Sequence, residues 1–250
     1  MDEAHKPHNG LPPLEPSVYE HTLGRAEPRK CLSPGSNNIL LGKSRKKVKI
    51  RKEIGVKMMI RSFVAIDLPD SCKGALEGVG RQLRRRVPPG SVRWSKVAGI
   101  HLTLKFLGDV AEGDVSPIKD VLAQVGQQHA PFSLTVGGVG CFPNVNKPRV
   151  VWVGVQEESG VLAALQQDVV KSLVPLGFEP EKRAFHPHLT LGRVKRGLRA
   201  ADQRRLGEVI ATAGVGELSR VQVSSYRLMR SDLRPSGAVY TPLAVLNLAG

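Results

Sequence analysis

The chain has 250 residues and a formal net charge of +15, with 37 Lys and Arg residues against 22 Asp and Glu residues. Its hydrophobic content of 41% is ordinary for a globular protein, and no apolar run approaches the roughly 20 residues of a membrane helix. We therefore expect no membrane contact. The basic balance favours an anionic partner such as nucleic acid, or it simply keeps the protein soluble, and charge alone leaves both interpretations open.

Cysteine usage and the N-terminus bear on the compartment. Cys31, Cys72 and Cys141 are odd in number and widely spaced, so they form neither a metal-binding pattern nor a disulfide framework. Residues 1–10 are polar and lack the apolar core of a secretory signal. These features predict a reducing, cytoplasmic setting.

Residues 1–58 differ in composition from the rest of the chain. Residues 1–38 are rich in Pro, Gly, Glu, Ser and His without clear periodicity, which is typical of disorder. The basic run at 43–52 could contact RNA phosphates, or it could belong to a dispensable extension. We favour the extension, because two methionines stand just before the first strand pattern. The predicted division is a disordered basic extension at 1–58 and a folded domain at 59–250.

Alternating and helical spacing of apolar residues predicts the elements of the folded part. The glycine-rich segment 137–140 predicts a bend, because it lacks the Lys-Ser/Thr of a phosphate-binding loop and no helix follows it. In chain order we expect a strand at 61–68, a helix at 69–86, strands at 92–94 and 101–107, a helix at 115–127, strands at 132–136 and 149–155, a helix at 161–173, a strand at 188–194, a helix at 200–210, and strands near 218–229 and 238–246.

One tetrapeptide, His-Leu-Thr-Leu, occurs at 101–104 and again at 188–191. On a strand, His and Thr would point to one face while both Leu residues point to the core. Two such strands at one cleft would bring two imidazoles and two hydroxyls together. That set suits general acid–base chemistry on a small anion, most naturally a phosphate.

The regions around the two motifs have the same order of elements. Each reads strand, helix, break and then a His-x-Thr strand, and Phe63 precedes His101 by 101 − 63 = 38 positions, just as Val150 precedes His188 by 188 − 150 = 38. Equal spacing suggests an internal duplication. We expect two similar lobes, each a small sheet with helices packed outside, that face a shared cleft.

With these residues in view, the chain resembles the 2H phosphoesterases and, within them, the RNA 2′,3′-cyclic phosphodiesterase family, also called the 2′-5′ RNA ligase family. The resemblance extends from residue 59 to the C-terminus, and the extension at 1–58 departs from the usual family pattern. Besides the two motifs, it rests on the phrases at 61–69, 92–94, 138–143, 148–155, 187–193 and 231–240.

The resemblance implies an α+β, bilobal fold with internally duplicated antiparallel sheets, helices packed outside and a central cleft. It implies hydrolysis of RNA 2′,3′-cyclic phosphate ends to 2′-phosphomonoesters, with no metal and no cofactor. ATP-independent, reversible joining of RNA ends through a 2′-5′ bond is a secondary activity of the family. The implied partners are RNA ends, with tRNA fragments as one candidate, and we expect a monomer.

The family pattern also assigns roles to the motif residues. It implies that His101 donates a proton to the departing 3′ oxygen and that His188 accepts the proton of the attacking water; the residues themselves give no reason to choose this direction. Thr103 and Thr190 would hydrogen-bond the non-bridging phosphate oxygens. For a lone Thr in a strand, β-propensity would be explanation enough, whereas two at matched positions favour a functional role.

Three further residues are candidates for substrate contacts. Arg193 matches a phosphate-contacting Arg of the family, although strict alternation would put it on the face opposite His188 unless the strand bends at Gly192. Phe63 could stack on the terminal base or could be a core residue. Arg149 could contact RNA phosphates or could be a plain surface cation.

Two other functions remain open at this point. A binding module could use the same cleft to hold an RNA end without turnover, although a binder has no need of a paired acid and base. A metallophosphoesterase could use His186, His188 and His101 as zinc ligands, although no Cys or acidic ligand stands nearby in a recognisable pattern.

Overall fold

The computed structural model describes residues 58–181, 183–235 and 237–249. The predicted extension at 1–58 therefore lies outside the described residues, apart from Met58. The strands are β1 (Met59–Ile66), β2 (Val92–Trp94), β3 (Leu102–Ala111), β4 (Phe132–Phe142), β5 (Val150–Gln156), β6 (His188–Val194), β7 (Glu217–Val223), β8 (Ser225–Arg234) and β9 (Gly237–Asn247).

The α-helices follow from apolar residues at helical spacing. In the first helix the buried residues Cys72, Leu76, Val79 and Leu83 recur every three or four positions, and three arginines in the last turn suit the helix dipole. No described helix is long and apolar enough to cross a membrane. The helices are α1 (Asp70–Arg86), α2 (Val115–Gly126), α3 (Val161–Leu173) and α4 (Ala200–Ala211).

The strands form one antiparallel sheet in the order β7-β4-β5-β6-β3-β1-β8-β9, and β2 pairs with part of β6. Its two halves, β7-β4-β5-β6 and β3-β1-β8-β9, meet where β3 and β6 are joined by a single residue pair, Leu102 with Leu189. One face of the curled sheet is covered by helices and the other face is open. The predicted α+β fold with duplicated antiparallel halves is confirmed.

The helices cross between the halves. Helix α1 follows β1 in the chain, yet it packs against β7 in the other half; likewise α3 follows β5 and packs against β3. Helices α2 and α4 lie against β9 and β4, within the halves of the strands that precede them. Each half of the sheet is therefore covered by one helix of its own and one helix from the other half.

The leucines of the repeated motif hold the centre of the molecule together. Leu102, Leu104, Leu189 and Leu191 all point into the core between sheet and helices, with at most 3% of their surface exposed. Burying a Leu side chain contributes about 1.5–3 kcal/mol. The same alternation leaves the histidine and the threonine of each motif on the open face, as predicted.

Two predicted elements differ from the structure. The segment 137–140 does not leave the sheet; β4 runs on to Phe142, and the Trp152 ring of β5 lies over Gly140, where a side chain would collide with it. The single strand predicted near 218–229 is two strands, because the chain passes from pairing with β4 to pairing with β1 at Ser224. No Gly or Pro marks this change of partner in the sequence.

Candidate active site

The polar residues of the two motifs come together where the halves of the sheet join. Because β3 and β6 are antiparallel around their single pair, His101 lies opposite Thr190 and Thr103 lies opposite His188. The two imidazoles and the two hydroxyls therefore lie on the open face beside the junction of the halves, and all four residues are only partly buried.

Each imidazole is oriented by the same backbone contact. The Nδ1 of His101 lies 2.8 Å from the carbonyl oxygen of Gly99, and the Nδ1 of His188 lies 2.7 Å from the carbonyl oxygen of His186. A carbonyl can only accept, so each Nδ1–H donates and the neutral ring carries its lone pair on Nε2. Both Nε2 atoms are thus available for proton exchange.

Burial lowers the pKa of both imidazoles. For His101, the hydrogen bond to Gly99 and the charge of Asp67 oppose this shift, while the charge of Lys73 adds to it. For His188, the hydrogen bond to the His186 carbonyl opposes the shift, while the charges of Arg193 and His186 add to it. An anionic ligand placed between the two rings would raise both pKa values.

Aromatic rings line the His101 side of the site. The Phe63 ring stacks on the imidazole at 4.6 Å between centroids, and the Tyr240 ring meets its edge at 5.0 Å. Phe106 lies beyond Phe63, at 5.6 Å, and 48% of its surface is exposed. The guanidinium of Arg61 lies over the Phe106 ring, 5.5 Å from its centroid, so a ligand that is bound beside His101 would meet an exposed aromatic edge next to a cation.

A β-bulge brings Arg193 to the open face. Val151 pairs with Gly192, but the next residue of β5 pairs with Thr190, so Leu191 is the extra residue of β6. The extra residue reverses the alternation and places Arg193 on the face of His188. This bulge is the bend in β6 that Arg193 needs in order to lie on the same face as His188. The charge of Arg193 lowers the pKa of His188.

Comparison with known proteins identifies the relatives of this chain. Residues 80–232 match the model of the 2′-5′ RNA ligase superfamily. The chain belongs to that superfamily. A Methanothermobacter thermautotrophicus protein named RNA 2′,3′-cyclic phosphodiesterase is 36% identical over 191 residues, which are 76% of this chain and 100% of that protein. A protein of the same name from Archaeoglobus fulgidus is 36% identical over 186 residues, covering 74% of this chain and 99% of that protein.

A solved structure agrees with the family assignment. The crystal structure of TT0787 from Thermus thermophilus superposes with a TM-score of 0.63 at 25% identity, covering 76% of this chain and 99% of that one. The resemblance to the superfamily that the sequence motifs indicated is confirmed.

Two predicted substrate contacts do not fit the structure. Phe63 is 0% exposed beneath His101, Phe106 and Tyr240, so its ring has no free face for a base and instead supports His101. Arg149 is exposed. Its neighbour Val150 pairs with Arg193 and shares its face, so alternation places Arg149 on the face opposite the motif histidines.

Sequence reasoning missed Phe106, although the repeat contains the signal. Phe106 lies five residues after His101, as Arg193 lies five after His188, and Leu104 is the extra residue of a matching bulge in β3. In this superfamily member the two halves therefore place an aromatic ring and a guanidinium at equivalent positions.

The zinc alternative is not supported by the arrangement of the histidines. Within the described residues, no three or more His, Cys, Asp or Glu side chains are grouped so that they could hold a metal ion. His186, the third ligand of that alternative, contributes its backbone carbonyl to the orientation of His188.

Proposed function

We propose that this protein hydrolyses the 2′,3′-cyclic phosphate end of an RNA to a 2′-phosphomonoester by two-histidine acid–base catalysis. The observation that carries the proposal is the cluster of His101, Thr103, His188 and Thr190, with both Nε2 atoms left free by matching Nδ1 contacts. The names of its relatives support the same reaction.

The reaction needs an acid and a base on opposite sides of phosphorus. His188 Nε2 takes the proton of a water molecule as its oxygen forms the new bond to phosphorus. The bond from phosphorus to O3′ breaks, and His101 Nε2 donates its proton to O3′. Thr103 and Thr190 donate hydrogen bonds to the non-bridging oxygens, where negative charge grows in the transition state.

The surroundings of the two histidines support this direction. The leaving O3′ belongs to the ribose, so the proton donor must lie on the side of the nucleoside. The exposed aromatic surface of Phe106 is on the His101 side, while the cation Arg193 is on the His188 side. If the base of the terminal nucleoside lay against Phe106, the ribose O3′ of that nucleoside would lie on the His101 side.

The same chemistry joins RNA ends when a 5′-hydroxyl replaces water, which gives a 2′-5′ bond without ATP. We extend the proposal to this activity, and to RNA fragments such as those of tRNA as substrates for a monomeric enzyme. We also propose that it acts in a reducing cytoplasm, which the unpaired thiols of Cys72 and Cys141 support.

The test is turnover of a short RNA that ends in a 2′,3′-cyclic phosphate, with a chelator present, for the wild type, His101→Ala and His188→Ala. Each substitution should lower the rate about 10²–10⁴-fold, because it removes one proton-transfer group. Phosphorus NMR should show a 2′-phosphate as the product. Thr103→Val and Thr190→Val keep the side-chain shape and should lower the rate less.

Other outcomes would lead to other functions. A wild type that binds the RNA without turnover would make the protein a binding module. Activity that chelator removes would point to a metal-dependent reaction. A 3′-phosphate product would show that the bond to O2′ breaks instead of the bond to O3′, which would contradict the proposed 2′-phosphomonoester product.

A further inference from the structure

Two arginines lie directly opposite each other beside the candidate acid–base pair. Arg93 of β2 pairs with Arg193 of β6, and both side chains are exposed. The neighbours of Arg93 in the strand, Val92 and Trp94, pack against the core, so alternation puts Arg93 on the open face. The two guanidiniums therefore share the face that carries the motif histidines.

Among the described residues, this pair of like charges has no acidic partner. Like charges at opposed positions of antiparallel strands destabilise a sheet. Arg199, Arg220 and Arg230 each form an ion pair with a nearby Asp or Glu, whereas no carboxylate of the described residues pairs with Arg93 or Arg193. A bound anion would compensate the two charges, and the planar guanidinium fork suits phosphate oxygens.

The arginines lie at one end of the cleft and the aromatic residues at the other. Strand β3 runs from His101 towards Phe106, and the antiparallel β6 runs from His188 towards Arg193. We call Phe63 and Phe106 the aromatic end and the arginine pair the basic end. With the nucleoside at the aromatic end, in-line attack requires the attacking oxygen to enter from the basic end.

We propose that Arg93 and Arg193 bind a phosphodiester of a second RNA strand, the strand whose 5′-hydroxyl attacks in place of water. The inference rests on the proposed function and assigns a site to its second substrate. The first phosphodiester of that strand follows its 5′ nucleoside, so it would lie one nucleoside away from the reacting phosphorus. Arg93 acts there by binding and takes no part in proton transfer.

The transfer balances without a further reactant. The 5′ oxygen forms a bond to phosphorus and gives its proton to His188 Nε2. The bond from phosphorus to O3′ breaks, and O3′ receives a proton from His101 Nε2. The product is a 2′-5′ diester, and cleavage of that diester passes through the same site in reverse.

Cleavage of 2′-5′ linked adenosine oligomers tests the site. In the dimer the leaving group is adenosine; in a trimer with a second, 3′-5′ linkage the leaving group carries the additional phosphodiester. The wild type should cleave the trimer with about 10- to 100-fold higher kcat/KM, the range expected from charge-assisted hydrogen bonds. Arg93→Gln should remove most of this preference, and Arg93→Lys should keep part of it. Arg204→Gln, an exposed change on α4, is the charge-matched control and should keep all of it.

The outcomes separate this site from the proposed function. Equal rates for dimer and trimer in the wild type, or an unchanged preference in Arg93→Gln, would overturn the second-strand site. The same conclusion follows if the wild type hydrolyses the cyclic phosphate but cleaves neither oligomer. If the wild type does not hydrolyse the cyclic phosphate, the proposed function itself fails.

Discussion

The two histidines share one backbone contact and differ in the charges around them. Burial lowers both pKa values. At His101 the charge of Asp67 opposes the shift and the charge of Lys73 adds to it, whereas at His188 the charges of Arg193 and His186 both add to it. A carboxylate favours the protonated ring and a cation favours the neutral ring. We propose that Asp67 favours His101 as the acid and that the cations beside His188 favour this residue as the base, the same direction as the one proposed from the aromatic end.

Arg193→Gln should move one limb of the pH–rate profile. The base must be neutral, so the acidic limb of kcat/KM follows the pKa of His188; the acid must be protonated, so the alkaline limb follows His101. Loss of the Arg193 charge raises the pKa of His188, and the acidic limb should move to higher pH. The measurement is kcat/KM for a cyclic mononucleotide between about pH 4 and 9, the range in which histidines titrate.

The size of that shift depends on solvent screening, since Arg193 is exposed. Arg193→Lys keeps the charge and serves as the matched variant, with an acidic limb near that of the wild type. A limb that stays in place in Arg193→Gln, or moves to lower pH, would contradict the proximity of this charge to His188.

At the scale of elements, the sequence predicts most of the site because the motifs alternate regularly. The helix bounds and the motif strands agree with the structure within a few residues. Alternation fails at the bulges, where Leu104 and Leu191 are extra residues, and the faces of Phe106 and Arg193 depend on them. A bulge is set by the neighbouring strand, so spacing within one strand does not reveal it.

The connection into β6 is held by the strand that follows His101. Lys105 is 5% exposed, and its Nζ lies 2.6 Å from the Glu179 carbonyl oxygen and 3.3 Å from a Glu181 carboxylate oxygen. The connection continues to His186, whose carbonyl orients His188. Lys105 is therefore placed to fix the base through the backbone that precedes it.

Lys105→Met should lower kcat more than it raises KM, because it loosens the orientation of His188 and leaves substrate contacts in place. It should also lower the free energy of unfolding by about 1.5–3 kcal/mol, since hydrogen bonds of a charged group are lost in a buried setting. Lys105→Arg should recover part of kcat. Steady-state kinetics and urea unfolding measure the two effects; a loss of stability with unchanged kcat would limit Lys105 to a structural role.

At the scale of the whole molecule, the crossing of α1 and α3 ties the halves together. The sequence predicts two similar lobes from equal spacing, but spacing does not tell which half a helix covers. That choice follows from tertiary packing: Cys72 and Leu76 lie on the buried face of α1, which packs against β7 rather than against the half that contains β1. Neither half has a complete core by itself.

The folded part should therefore unfold in one cooperative step. Hydrogen exchange followed by mass spectrometry should give the same opening free energy for the central residues of β8 and of β5, one strand from each half. Circular dichroism and tryptophan fluorescence should report the same urea midpoint. Two separate transitions would show that the halves are stable independently, in spite of the exchanged helices.

A two-fold relation within one chain has the geometry of a homodimer whose subunits have been joined. A shorter ancestor with one His-x-Thr strand would have needed a second copy to complete the site. Both flanks of that dimer would have been identical, so a substrate could have bound in either direction. Fusion lets the two copies of a residue mutate separately, and Phe106 and Arg193 now differ at equivalent positions. Two ends that differ in this way allow a substrate to bind in one direction only.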